Sequence, residues 1–227
     1  MQQTARAYGI IKPPIGMKIF KHFIFTRYNL GLYENALIED KVGWMERRLH
    51  LFDKCADSVK AQTNQDFTWI IAIDPKTPKR DFKRIQKVNT FNSVVCSEYP
   101  PDFLRKIAKN IKQEWIITSR LDNDDLLEPD YIKEIQDNFK GKLEVLDVKG
   151  RQLEVGSGKY YETGRDRPNS PFLSLIEPNN DLKTCFYCNH TTMDEKFDSR
   201  LINKQLYVQV IHQENVCNKI KGKLIEQ

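Results

Sequence analysis

Three apolar runs that each end in charge, HFIFTR (22–27), FTWIIAID (67–74) and WIITSRLDNDD (115–125), restrict this chain more than any other feature. Runs without polar alternation belong to strands buried on both faces, the habit of parallel sheets covered by helices. Helical spacing fills the gaps between them. Trp44 to Gln62 places Leu49, Phe52, Cys55 or Ala56, and Val59 on one side, and DFKRIQKV (81–88) predicts a shorter helix. PDFLRKIAKNI (101–111) opens on Pro101, and Pro129 starts a helix with Tyr131, Ile132, Ile135 and Phe139 as its apolar positions. With a further strand in NSVVCSEY (92–99), the order predicts an α/β fold with a mainly parallel, doubly wound sheet over residues 17–140. Ligands of such sheets sit outside the carboxyl ends of the strands. The polar strand ends Thr26-Arg27, Asp74 and Arg120 to Asp125 therefore open on one edge and form a candidate site.

Beyond residue 140 the pattern becomes β-rich. KLEVLDVKGRQLEVGSGKYYET alternates and predicts a hairpin turning at Gly150, and SPFLSLIEP, TCFYCNHTT and QLYVQVIHQEN read as further strands. The first sixteen residues differ in character and are set aside as an N-terminal extension, leaving 17–227 as one domain. Five irregularly spaced cysteines argue against a disulfide framework. Cys185 and Cys188 have CxxC spacing, but on a strand they face opposite ways, which favours half-buried thiols over zinc. No apolar run reaches membrane-spanning length and the N-terminus has no signal-peptide core, so a soluble, cytoplasmic protein is expected. The formal charge of +5 is scattered and says little about nucleic acid.

The cluster Leu121-Asp122-Asn123-Asp124-Asp125 concentrates the chemistry. On an extended strand Arg120, Asp122 and Asp124 share a face, and two carboxylates at an open strand end suit a hard divalent cation that also keeps phosphate oxygens. A calcium loop is excluded by Leu126 at the fifth position and by the missing glycine. The bland reading is a solvated turn, with Asp125 capping it before Pro129 starts the helix. It leaves Asp122 and Asp124 unexplained. Both readings stand on the residues alone.

HFIFTRYN, W-x-x-R-R-L-x-L-F, SVKAQT, FTWIIAID, SRLDNDD, SPFLSLIE and VIHQEN follow one another in an order that resembles the putative rhamnosyltransferase family, within the GT-A-fold nucleotide-sugar glycosyltransferases. The resemblance runs over roughly residues 20–216, and RLDNDD with the upstream AQT and F-x-W pattern is its most specific part. It implies a metal-dependent transfer of a hexose or deoxyhexose, such as rhamnose, from a nucleoside diphosphate sugar, UDP- or dTDP-linked, to a glycan or glycoprotein. Residues 17–140 would bind the nucleotide sugar and 141–227 the acceptor. Mn²⁺ or Mg²⁺ would be held by Asp122, Asp124 and, from the late VIH, His212. Thr26 and Arg27 would contact the nucleotide, Asp74 the base, Asp122 the ribose or metal, and Arg120 a phosphate or the Asp cluster itself. An inverting transfer needs a carboxylate base, for which Glu177 ranks first and Asp194 or Glu195 next. His190, Tyr160, Tyr161, Arg165 and Arg167 would lie towards the acceptor.

Two rivals compete with this reading. A metal-dependent phosphatase or nucleotidyltransferase would use the same strand-end carboxylates without a sugar acceptor. A polyanion-binding module would depend on scattered Lys and Arg and be indifferent to Asp124.

Overall fold

Along the strand Phe20–Arg27 (β1), Phe23 and Phe25 point to one side and Ile24 to the other, and all three are buried. A computed structural model of the protein describes residues 18–88, 92–163, 169–213, 215, 219–220 and 222–225. The expected N-terminal extension (1–16), Arg165, Arg167 and Cys217 lie outside these residues.

β1 pairs in parallel with Thr68–Ala72 (β2) and with Trp115–Arg120 (β4), and β2 pairs in parallel with Ser93–Cys96 (β3). The second half extends the same sheet. Ser174–Pro178 (β8) runs antiparallel to β4, followed by Glu144–Glu154 (β6), Ser199–Ile211 (β9) and the short Leu126–Leu127 (β5). Across the sheet the order is β3-β2-β1-β4-β8-β6-β9-β5, with Lys159–Glu162 (β7) hairpinned onto β6. The parallel, two-faced sheet expected for the first half and the β-rich second half are both present.

Helices Lys41–Lys60 (α1), Lys79–Val88 (α2) and Tyr131–Asp137 (α4) cover the face that carries Ile24, Trp69 and Ile117. Pro100–Ala108 (α3) and the 3-10 segment His190–Glu195 cover the face of Phe23, Phe25 and Ile116. α1 buries Met45, Arg48, Leu49, Phe52, Cys55, Ala56 and Val59 along one stripe, and Asp40 caps it by accepting the Gly43 N–H at 2.8 Å. Truncating a side chain as enclosed as Phe52 would cost about 3–5 kcal/mol. No described helix is long and apolar enough to cross a membrane.

Two expected elements are different. β6 runs straight through Gly150, and the hairpin turns at residues 155–158 instead. Gly150 sits where the β6–β9 register slips, and a Cβ there would enter the Tyr207 ring. This glycine serves a bulge and a close approach, not a turn. The segment TCFYCNHTT is no strand: Thr184 takes a left-handed conformation (φ 68°), residues 185–188 turn, and the 3-10 segment follows. Its backbone donors are claimed by side chains. The Glu177 carboxylate accepts the N–H of Lys183 (2.6 Å) and Thr184 (2.9 Å), and Thr118 accepts that of Cys185 (2.8 Å). Cys185 is consequently buried in the α3-side core, and the Cys188 thiol lies 3.4 Å from the Met193 sulfur.

Candidate functional site

Because β1 and β4 are parallel neighbours, their carboxyl ends emerge side by side, and a cavity of about 550 Å³ opens there. Arg27, Tyr28, Asn29, Trp44, Arg48, Arg120, Asp122, Asn123, Asp124 and Asn215 line it.

The carboxylate loop is placed by its uncharged and hidden members. The Leu121 N–H donates to Phe25 O at 3.0 Å, continuing the β1–β4 ladder one step past the strand. The Asn123 side-chain amide donates to Tyr28 O, tying the loop to the end of β1. Asp125 turns inward and accepts the Val210 N–H of β9 at 2.7 Å. Its burial, with the charges of Asp124 and Asp122 beside it, pushes its carboxyl well above the ordinary range. β5 then pairs with Tyr207 and Val208 of β9. This double attachment brings the end of β9, and with it His212, to the loop.

Asp124 is the hub. His212 Nε2 lies 2.8 Å from its Oδ2, joining residues 88 positions apart in the chain. The Arg48 guanidinium bonds the same oxygen, and the Asn215 amide stands 3.5 Å from it and 3.2 Å from His212 Nε2. Asn215 Oδ1 in turn accepts the His212 backbone N–H at 2.6 Å. Burial alone would raise the Asp124 carboxyl, but the His212 hydrogen bond and the Arg48 charge outweigh it and hold it below its ordinary value. Asp122, more open, is paired with Arg120 at 3.1 Å. Arg120 and Arg27 both lie against the Phe186 ring, at 5.5 and 5.0 Å from its centroid.

The structure thus gathers Arg27, Arg120, Asp122, Asp124 and His212 at one place. Thr26 is adjacent but turned into the core, where its hydroxyl accepts the Trp69 indole N–H at 2.9 Å. Asp74 braces the pocket from behind: its carboxylate accepts the N–H groups of Lys76 (2.8 Å) and Tyr33 (3.4 Å), and it does not line the cavity. Glu177 pairs with Ile116, four residues before Arg120, which puts it about 13 Å back along the strand. Its carboxylate is occupied by Lys183 and Thr184, and burial pushes its pKa up to about 7. Asp194 is exposed on the 3-10 segment, away from the cavity lining. His190 bonds Asn169 O at 2.9 Å, while Tyr160 and Tyr161 contact Arg151 and Glu154 within the β6–β7 hairpin.

Arg48, Trp44 and Asn215 were not anticipated. A signal for Arg48 exists in the sequence, since it is a charge on the apolar stripe Met45-Arg48-Leu49-Phe52 of α1. A charged residue there needs a buried partner.

A divalent cation is compatible with the donor chemistry at this hub. Carboxylates suit Mn²⁺ or Mg²⁺, whereas imidazole suits transition metals and not Mg²⁺, and Mg²⁺ is held by one or two carboxylates with substrate phosphates and water as the rest. Among the described residues no three His, Cys, Asp or Glu side chains form a cage on their own.

The molecule is thus an α/β protein with a mixed sheet, at one edge of which Asp122, Asp124, Arg27 and Arg120 meet Arg48 from α1, with His212 bonded to Asp124. The chain belongs to the family described as "Putative rhamnosyl transferase", which it matches over residues 31–224. No curated protein matches it significantly. Similar solved structures include S. aureus TarS, at 14% identity over 85% of this chain and 36% of that one, with a TM-score of 0.46. A structure of S. aureus TarS 1–349 in complex with UDP shows 12% identity over 84% of this chain and 60% of that one, TM-score 0.47. A cytidylyltransferase from Leptospira borgpetersenii serovar Hardjo-bovis shows 12% identity over 84% of this chain and 78% of that one, TM-score 0.45. Scores this low leave the functional reading to the family and to the site itself.

Proposed function

We propose that the chain transfers a hexose or deoxyhexose, rhamnose among them, from a UDP- or dTDP-linked donor to a hydroxyl of a glycan or glycoprotein, with Mn²⁺ or Mg²⁺ as cofactor. The observation that carries this reading is the bond from His212 to Asp124, which lines a single cavity with Arg27, Arg48 and Arg120. The arginines suit a diphosphate, whose oxygens accept bidentate hydrogen bonds from guanidinium groups. Asp124 and His212, with Asp122 also lining the cavity, would hold the cation. When bound, it supplies positive charge against the charge that grows on the departing diphosphate. Arg120 orients Asp122, and the half-buried Trp44 offers aromatic surface inside the cavity. The inverting course is kept from the family resemblance. Of its expected bases, Glu177 is enclosed and already hydrogen-bonded, while Asp194 and Glu195 are exposed but do not line the cavity. The free thiols of Cys55, Cys96, Cys185 and Cys188 agree with a reducing, cytoplasmic setting.

Thermal unfolding with UDP, dTDP and GDP, each with and without Mn²⁺, on wild type and Asp124→Ala tests the donor site. A ligand at a hundred times its dissociation constant adds roughly 2.7 kcal/mol of stability. Stabilisation by one nucleotide, dependent on both metal and Asp124, is the expected result and names the base. Indifference to every nucleotide sinks the reading. Release of phosphate from the donor without any acceptor favours the phosphatase alternative.

A further inference from the structure

We infer that Arg48 is a charge switch that makes cation binding and diphosphate binding at this site depend on each other, an inference that rests on the donor site proposed above. Three groups crowd one oxygen, Asp124 Oδ2: the Arg48 guanidinium, His212 Nε2 at 2.8 Å and the Asn215 amide at 3.5 Å. The Asp124 carboxylate is also a group that would hold a cation. A guanidinium and a dication on the same carboxylate repel one another at close range in a poorly solvated place. Arg48 and a cation therefore compete for Asp124.

Arg48 is 8% exposed, so departure into nothing would leave a buried charge without its anion. The cavity beside it offers another place for an anion. Arg48 lines the same cavity as Arg27 and Arg120, with its guanidinium 5.5 Å from the Trp44 ring, a turn earlier on α1. A diphosphate in that cavity gives Arg48 a replacement anion and releases Asp124. Without a diphosphate Arg48 stays on Asp124 and guards it against cations. Linkage requires the converse as well: occupation of Asp124 by a cation frees Arg48 for the diphosphate. The switch is distinct from a cation merely bridging the donor's phosphates, because it acts on the protein before both ligands are present.

The test is Mn²⁺ affinity, measured directly by calorimetry or by the paramagnetic signal of free Mn²⁺, with and without a saturating mixture of UDP, dTDP and GDP. Arg48→Gln removes the charge and Arg48→Lys keeps it. We expect Arg48→Gln to bind Mn²⁺ alone about tenfold more tightly than wild type, with a correspondingly smaller nucleotide effect. Arg48→Lys is expected to stay close to wild type. Asp124→Asn supplies an independent reading if Arg48→Gln does not fold: freed of its anion, Arg48 should bind the nucleotide more tightly than wild type when metal is absent. The switch is wrong if Arg48→Gln binds Mn²⁺ alone no better than wild type while wild type still takes Mn²⁺ with nucleotide. It is equally wrong if Asp124→Asn gains no metal-free nucleotide affinity. If no variant and no nucleotide yields Mn²⁺ binding, the donor site itself fails, and the switch with it.

Discussion

Arg27 differs from the other arginines of the cavity. Arg48 lies on Asp124 and Arg120 on Asp122, whereas Arg27 has no ion pair among the described residues and leans, exposed, on Phe186. Its charge is the one least neutralised by the protein, and the one most available to a ligand. Arg27→Ala is expected to change unfolding free energy by less than about 0.5 kcal/mol, as for an exposed side chain. The same change should weaken nucleoside diphosphate binding about tenfold, the worth of one hydrogen bond to a charged group. Comparing the unfolding midpoint with a nucleotide titration separates the two effects. At this scale the carboxylates were legible in the sequence because Asp122 and Asp124 follow an apolar strand directly. Thr26 and Asp74 share that strand-end position yet turn into the core and the loop behind the cavity, because their partners, Trp69 and Tyr33, come from other segments. Strand-end position identifies an edge; which way each side chain turns depends on neighbours that spacing does not show.

Gly150 shows how an element can be read correctly in kind and wrongly in course. Alternation gave the strands on either side of it, but a glycine in a strand marks a turn or a close backbone approach equally well. Here Tyr207 decides, since its ring stacks on Phe172 at 3.9 Å and occupies the space a side chain at 150 would need. Gly150→Ala is expected to cost about 1–3 kcal/mol, as overpacking does, visible as a lower thermal midpoint with the nucleotide site intact. TCFYCNHTT failed for a related reason. Its residues have strand preference, yet the Glu177 carboxylate and the Thr118 hydroxyl take the N–H groups a ladder would use. Helices were easier, because α1, α3 and α4 declare themselves through period and proline without reference to distant residues.

Across the whole molecule, two buried groups oppose each other as pH changes. His22, enclosed and hydrogen-bonded to Ser119 at 2.8 Å, has its pKa pushed down to about 3, chiefly by burial. Its contribution is present above the unfolded value of 6.5 and is lost as pH falls towards 3. Glu177, pushed up to about 7, works the other way: its contribution is present below 4.5 and is lost as pH rises to 7. Between roughly pH 4.5 and 6.5 the two slopes cancel, each about 1.4 kcal/mol per pH unit at most. Glu177→Gln removes one of them, so the stability of the variant relative to wild type should climb with pH across that window. Denaturant unfolding at pH 5 and 6.5 reads the difference, and parallel curves for the two proteins would contradict it.

The architecture of the sheet was legible for its parallel half, where each strand follows its helix. The joining of β9 between β6 and β5 was not, because β5 is too short to declare itself. That placement has a consequence for synthesis. β9 leaves the ribosome after both its neighbours, yet lies inside the sheet and carries the backbone that leads to His212. Until it is translated and inserted, Asp125 has no Val210 to hold and Asp124 no histidine beside it. A nascent chain stalled before residue 199 would therefore display the strands and helices of the first half with Arg27, Arg120 and Asp122 in place but Asp124 without its histidine.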